Sequence, residues 1–150
     1  MGYGSSKASI SGSEMGGLSL STANVSSFSV GVYNNSVLSQ ATSIEYGISF
    51  GFSDESEALG IPIILKFYTG GETSGFHITG GVGIVMALGD VDTDVVKKTS
   101  FSGGLGLGFD LGSNASARVS YSTQLNNSSN IDGYTIKGSG FGIGLLYWFK

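Results

Sequence analysis

The chain has 150 residues, enough for a single domain built as a closed barrel or a sandwich. It carries 26 glycines, one proline and no cysteine, and charged residues make up 12%, about half the roughly 25% of an ordinary soluble domain. The net charge of −4, with only seven Lys and Arg, argues against a nucleic-acid binder, and the lack of cysteine excludes disulfides and thiolate chemistry.

Mean hydropathy is positive, +0.20, yet no run approaches the ~18 consecutive apolar residues of a membrane-spanning helix. The large apolar residues fall at every second position instead. Polar clusters of turn-forming residues separate these runs, as expected for strands whose side chains alternate between two faces. Met1-Gly2-Tyr3-Gly4 has no charged n-region or apolar h-region, so the sequence is read as the mature part of an exported chain.

The first 25 residues offer two versions of a first strand. Gly2 to Ile10 is preferred, with a long loop after it; the alternative is Gly16 to Thr22, where Leu18 and Leu20 alternate with Ser19 and Ser21. A second strand is predicted at about Ser26 to Tyr33, with Phe28, Val30 and Val32 on one face, followed by a tight turn at Asn34-Asn35-Ser36. The third, Val37 to Phe52, sets Ile44, Tyr46, Ile48 and Phe50 against Ser43, Glu45, Gly47 and Ser49. An acidic loop, Ser53 to Gly60, leads to a fourth strand, Ile61 to Tyr68, near whose start Pro62 is tolerable because it need not donate to a ladder.

A turn at Thr69 to Ser74 precedes the fifth strand, Gly75 to Leu88. The sixth, Thr99 to Leu111, has the cleanest alternation: Phe101, Leu105, Leu107, Phe109 and Leu111 against Ser100, Ser102, Gly104, Gly106, Gly108 and Asp110. The seventh runs from Ala115 to Leu125. The eighth runs from Tyr134 to Phe149, with Phe141, Ile143, Leu145, Tyr147 and Phe149 against Gly138, Gly140, Gly142 and Gly144. Tight turns are predicted after strands two, four and six, and longer polar loops after one, three, five and seven.

The two faces decide the class. Turning the apolar set inward, as in a soluble lipocalin-like barrel, leaves an exterior of Gly, Ser and Thr that is nearly uncharged and full of strand-weakening glycines. Turning it outward gives lipid the apolar set and puts the glycines inside, where eight strands leave little room. The reading is therefore all-β: one domain over 1–150, a closed eight-stranded antiparallel up-and-down transmembrane β-barrel with short periplasmic turns and longer extracellular loops.

The aromatic-terminated last strand, together with Phe101 to Phe149 as a whole, resembles the last three strands of the small bacterial outer-membrane barrels that include the OmpA transmembrane domain, OmpX, Ail and the opacity-like proteins. Gly144, Tyr147 and Phe149 are similar to the C-terminal assembly signal of that family, from which Lys150 departs because such chains usually end on the aromatic. The resemblance implies a Gram-negative outer-membrane location, contact with bilayer and lipopolysaccharide, and the insertion machinery as a partner during assembly. It also implies a monomer that acts in envelope integrity and host contact through its loops.

Four charges fall on the inward parity: Glu45 and Lys66, brought near each other by hairpin geometry, and Asp110 and Arg118, set together likewise on strands six and seven. They form either a lumen-filling ion-pair network or the constriction of a narrow pore for ions or small solutes, and the first is favoured. His77, the sole histidine, is expected in the lumen or near the periplasmic rim. It lacks the nucleophile and orienting carboxylate that catalysis requires, so no enzyme activity and no cofactor are expected. Asp90, Asp92 and Asp94 resemble the start of a calcium loop, but Val95 and Phe101 stand where its Gly and Glu belong, so a solvated acidic loop is the better reading.

Overall fold

The computed structural model describes residues 1–12, 19–21, 25–53, 57–89, 94, 97–112, 115–132 and 134–147, of which 3–12, 19–21, 25 and 147 are described by their backbone alone. Nine strands account for nearly all of them: β1 (Gly2–Gly12), β2 (Ser19–Ser21), β3 (Val25–Ser39), β4 (Thr42–Ser53), β5 (Glu57–Tyr68), β6 (Phe76–Leu88), β7 (Thr99–Asp110), β8 (Ala115–Gln124) and β9 (Tyr134–Tyr147). Strands β3 to β9 follow one another as an up-and-down antiparallel sheet. β1 pairs antiparallel with β3 along one edge, from Gly2↔Ser29 to Ser6↔Val25, and with β9 along the other, from Gly2↔Gly144 to Gly12↔Tyr134.

Both candidate first strands exist, with different roles. The preferred Gly2–Ile10 segment is β1. Ser19–Ser21 lies beside its far end, Ser9↔Ser21 to Ser11↔Ser19, on the edge that β3 uses nearer the start. The register along β1 shifts by one residue between these two pairings, so β2 carries on the line of β3 rather than standing as a separate position in the sheet.

The expected turn at Asn34-Asn35-Ser36 is corrected. β3 runs through it to Ser39, and the chain reverses at residues 40–41. Each asparagine has a strand role that outweighs its turn propensity. Asn34 donates to the Tyr46 hydroxyl on one face (3.1 Å), and Asn35 accepts from the Ser43 hydroxyl on the other (3.1 Å). β5 likewise starts at Glu57, so the expected loop Ser53 to Gly60 contracts to residues 54–56. That connection is shorter than residues 69–75, which join β5 to β6, so connection length does not alternate as regularly as composition suggests. Pro62 therefore sits well inside β5. The β4–β5 ladder is interrupted there, between Tyr46↔Ile63 and Ser49↔Gly60, where proline has no N–H to contribute.

Side chains sort by parity across every pair. Phe50↔Leu59, Ile63↔Val82, Ile84↔Phe101, Leu105↔Tyr121 and Tyr121↔Phe141 carry one apolar face from β4 to β9. That face points outward. Phe101, Leu105, Leu107, Phe109, Phe141, Ile143 and Leu145 are 50–69% exposed. Tyr147 falls on the same parity, its side chain beyond the described set, and Phe149 lies outside the described residues. Tyr68 is the one buried large hydrophobic among the described residues, whereas Ser43, Glu45, Lys66, His77, Thr79 and Ser116 are all buried. This is the reverse of what a soluble lipocalin-like barrel requires.

Candidate functional site in the enclosed face

The inward parity consists mostly of glycine, serine and threonine, with a few apolar residues such as Pro62, Ile64 and Leu146 and a few long polar ones, and the long polar ones gather toward the end of the short β3–β4 turn. Glu45 is at the centre. Its Oε2 lies 3.2 Å from Lys66 Nζ on the neighbouring strand, and both side chains are fully buried. Arg118 Nη2 donates to both carboxylate oxygens, at 3.0 and 2.9 Å. β8 stands four strands from β4, roughly 19 Å along a sheet with ~4.8 Å strand spacing. The contact exists because the sheet rolls up and the two side chains meet across its interior.

The second cluster is His77 with Asp110 and Tyr68. The His77 Nδ1–H donates to the Gly75 carbonyl (3.1 Å), and Asp110 Oδ1 is 3.6 Å from the same nitrogen. The Tyr68 ring leans on the imidazole, with centroids 5.1 Å apart. The sequence reading set Asp110 with Arg118, and this is corrected: Asp110 lies directly opposite Ser116 and beside His77, while Arg118 lies opposite Gly108 and reaches to Glu45. His77 itself is wholly buried in the enclosed face.

Several inward glycines are seats for these side chains. A Cβ at Gly108 would overlap the His77 ring at Nε2, and a Cβ at Gly31 would come within 2.9 Å of the Tyr33 ring. Gly47 is covered by the same tyrosine. The glycine-rich parity therefore does not make an open bore along its whole length, because rings lie flat where Cβ atoms are missing. Tyr33 and Tyr68 were not singled out from sequence. The available signal was their position, as aromatic residues on the glycine and serine parity.

Toward the other end of the strands, small side chains leave space. One cavity of about 200 Å³ is lined by Ser27, Ser29, Gly31, Tyr33, Arg118 and Ser120 among others, and a second of about 150 Å³ by Pro62, Gly81, Gly104, Arg118, Ser120 and Ser122 among others. Beyond them the β8–β9 connection is folded by its own amides. Asn127 Oδ1 accepts from the Ser129 and Ile136 N–H groups, and its Nδ2 donates to the Tyr134 carbonyl, each at 2.9 Å. Gln124 accepts from Gly138 N–H (2.9 Å) and donates to the Ser128 hydroxyl. Asn126 accepts from Phe101 N–H.

The fold of the sheet has a known counterpart. The chain shares the fold of Neisserial surface protein A, with a TM-score of 0.54 at 15% identity over 98% of this chain and 95% of that one. At such identity the likeness is one of fold. Two further structures align over almost all of both chains: the outer membrane enzyme PagL, at 12% identity and a TM-score of 0.49 over 97% of this chain and 99% of that one, and the NanC porin, at 10% and 0.34 over 98% and 100%. No protein-family model and no curated protein matches the chain.

Of the remaining site residues, Asp90 and Asp92 lie outside the described residues, and Asp94 is exposed in the β6–β7 connection. No group of three His, Cys, Asp or Glu with metal-binding geometry occurs among the described residues. Gly144, the first residue of the assembly signal, lies within β9, whose last residue is Tyr147.

Proposed function

We propose that this chain is a bacterial outer-membrane barrel of eight strands, β2 counting with β3, closed by β1 between β3 and β9, with its apolar face in the lipid. The observation that carries this is the inverted burial: large apolar residues outside, charged and hydroxyl residues inside. Closure also agrees with the register. Following directly opposed partners once around returns to β1 displaced by about ten residues, which for eight strands corresponds to a tilt of roughly 40°. At that tilt the outward apolar positions of β6, Phe76 to Leu88, stand about 30 Å tall, the thickness of a bilayer's hydrocarbon core.

Within this class, the last-strand pattern of Gly144, Tyr147 and Phe149 favours kinship with the OmpA, OmpX, Ail and opacity-like group. The barrel acts without catalysis, in envelope integrity and surface contact through its long connections, as a monomer against bilayer and lipopolysaccharide. The Glu45–Lys66–Arg118 cluster and the rings on Gly31, Gly47 and Gly108 support a plugged lumen. The test is refolding of the chain into detergent micelles, with heat-modifiable gel migration and protease protection of the strands as the expected result. A monomer that is soluble and folded without detergent would refute the reading.

A narrow pore is the second reading, favoured by the two cavities that flank Arg118. A silent planar bilayer is expected. Stable unitary currents abolished by altering Lys66 or Arg118 would replace the plugged barrel with the pore.

A further inference from the structure

β1 joins β3 to β9 over part of their length. Its pairing with β3 runs from Ser6↔Val25 to Gly2↔Ser29, whereas β3 continues from Val30 to Ser39, paired there with β4 alone among the described residues. On the other side Met1 and Leu145 exchange both backbone hydrogen bonds, at 2.9 and 2.8 Å, and β9 continues past them to Tyr147. β3 and β9 each stand one position from β1, so the gap past Met1 is two strand spacings wide, about 9.6 Å. That is the room of a single strand.

The ladder fixes which backbone groups face this gap. Alternate residues of an antiparallel strand turn both N–H and C=O to opposite edges. Met1 turns its pair to β9, so Gly2 turns its own to β3, opposite Ser29. Carried along β3, the alternation points Gly31, Tyr33, Asn35 and Val37 into the gap, and Val30, Val32, Asn34 and Ser36 at β4. Among the described residues no backbone partner meets the first four. On β9, Tyr147 faces the gap in the phase of Leu145. Burial agrees, since Val32 is 81% exposed on the outer face, against 38% for Val30 nearer β1. The larger cavity, about 200 Å³, takes its lining from both banks: Gly31 and Tyr33 of β3, Gly144 and Leu146 of β9.

Free backbone edges facing lipid have to be covered, because lipid supplies no hydrogen bonds. A second copy does not fit, since the outer strand of a sheet has one edge to offer and this gap has two banks. A lone extended segment has an edge for each. β3 and β9 both run antiparallel to β1, so a segment antiparallel to both continues the line of β1 and enters from the side of the β3–β4 turn. We propose that the gap between β3 and β9 takes an extended segment of a separate polypeptide as an added strand, with small residues facing Gly31 and Tyr33 and apolar ones facing out beside Val32. The proposal rests on the barrel reading and gives that barrel a partner at its short-turn side.

Amide exchange of the ¹⁵N-labelled chain refolded in micelles reads the two edges of β3 separately. In the chain alone, Val30, Val32, Asn34 and Ser36 should exchange at least tenfold more slowly than Gly31, Tyr33, Asn35 and Val37. The probe is the peptide Ser-Val-Ser-Val-Ser-Val-Ser behind two solubilising lysines. It should slow the second set at least tenfold, saturably, and leave the first set unchanged. The same peptide with proline for each valine loses the donors of one edge and should have no effect. Equal protection of both sets in the chain alone would show the edge already covered within the chain. Protection of the second set that rises with protein concentration would assign the gap to a second copy. No gain with the valine peptide, or an equal gain with the proline form, would show that no strand docks. Each of these overturns the proposal while heat-modifiable migration persists; a chain that is soluble and folded without detergent overturns the barrel reading itself.

Discussion

Arg118 and Glu45 lie on strands four positions apart and are joined by two hydrogen bonds, at 3.0 and 2.9 Å, to one fully buried carboxylate. With Lys66 on the same carboxylate, one acidic group ties three strands together across the interior. Removing that acid leaves two cations in a desolvated space, whereas removing one cation leaves the other paired. Glu45→Ala is therefore expected to cost about 3–5 kcal/mol, the usual range for a broken buried pair. Lys66→Met should cost clearly less, because Arg118 keeps both carboxylate oxygens. Urea unfolding in micelles measures the two variants side by side, and equal losses would mean that Glu45 is not the hub.

The glycines divide by what lies over them. A Cβ at Gly47 meets Tyr33 and the Val32 carbonyl, backbone that cannot move aside, whereas a Cβ at Gly51 finds no heavy atom closer than 3.9 Å. Gly47→Ala is expected to destabilise by about 1–3 kcal/mol as an overpacking change. Gly51→Ala should be neutral or slightly stabilising, because glycine weakens a strand interior. Both residues sit on the inward parity of the same strand, so the comparison separates seating of a ring from mere lumen position. Matching unfolding midpoints for the two variants would contradict it.

The half of the sheet from Phe76 onward was legible because large apolar residues alternate over most of each strand with glycine or small polar residues, and predicted and observed bounds of β6, β7 and β8 agree to one residue. Asn34-Asn35 misled because turn propensity is local. What holds them in β3 is a hydroxyl from Tyr46 and another from Ser43, residues supplied by the next strand. Nearness of Glu45 and Lys66 depends only on which residues a hairpin sets side by side. The partner of Arg118 depends on how tightly the whole sheet rolls, which no single window of sequence contains. His77 was visible as an inward residue, but its seat on Gly108 became meaningful only once β6 and β7 were in register.

The lipid-facing reading of the apolar set has a depth-dependent consequence. Leu105 projects outward from the middle of β7 and is 69% exposed, whereas Leu111 is just past its end. An arginine at the first site has to sit in hydrocarbon, and at the second it reaches headgroups. Leu105→Arg is expected to cost about 2–4 kcal/mol of folding stability in bilayers and Leu111→Arg about 0–1. A soluble protein would tolerate both equally, since each side chain is exposed. Refolding yields and unfolding curves in lipid vesicles check this, and a harmless Leu105→Arg would remove the membrane argument.

Asn127 holds the β8–β9 connection by standing in for backbone. Its amide satisfies two N–H groups and one carbonyl that no neighbouring strand reaches. Asn127→Ala leaves those three groups to find water, at a cost of about 1–3 kcal/mol confined to the connection. Because the ladders of β8 and β9 lie below it, global unfolding should shift little. The expected signature is local: faster amide exchange at Ser129 and Ile136, and new protease cleavage between residues 125 and 133 in a barrel that still shows heat-modifiable migration. Asn127→Asp keeps the oxygen that accepts from Ser129 and Ile136 but loses the donor to Tyr134, so it should fall between the two. Exchange rates unchanged in Asn127→Ala would show that the connection is held by Gln124 and Asn126 alone.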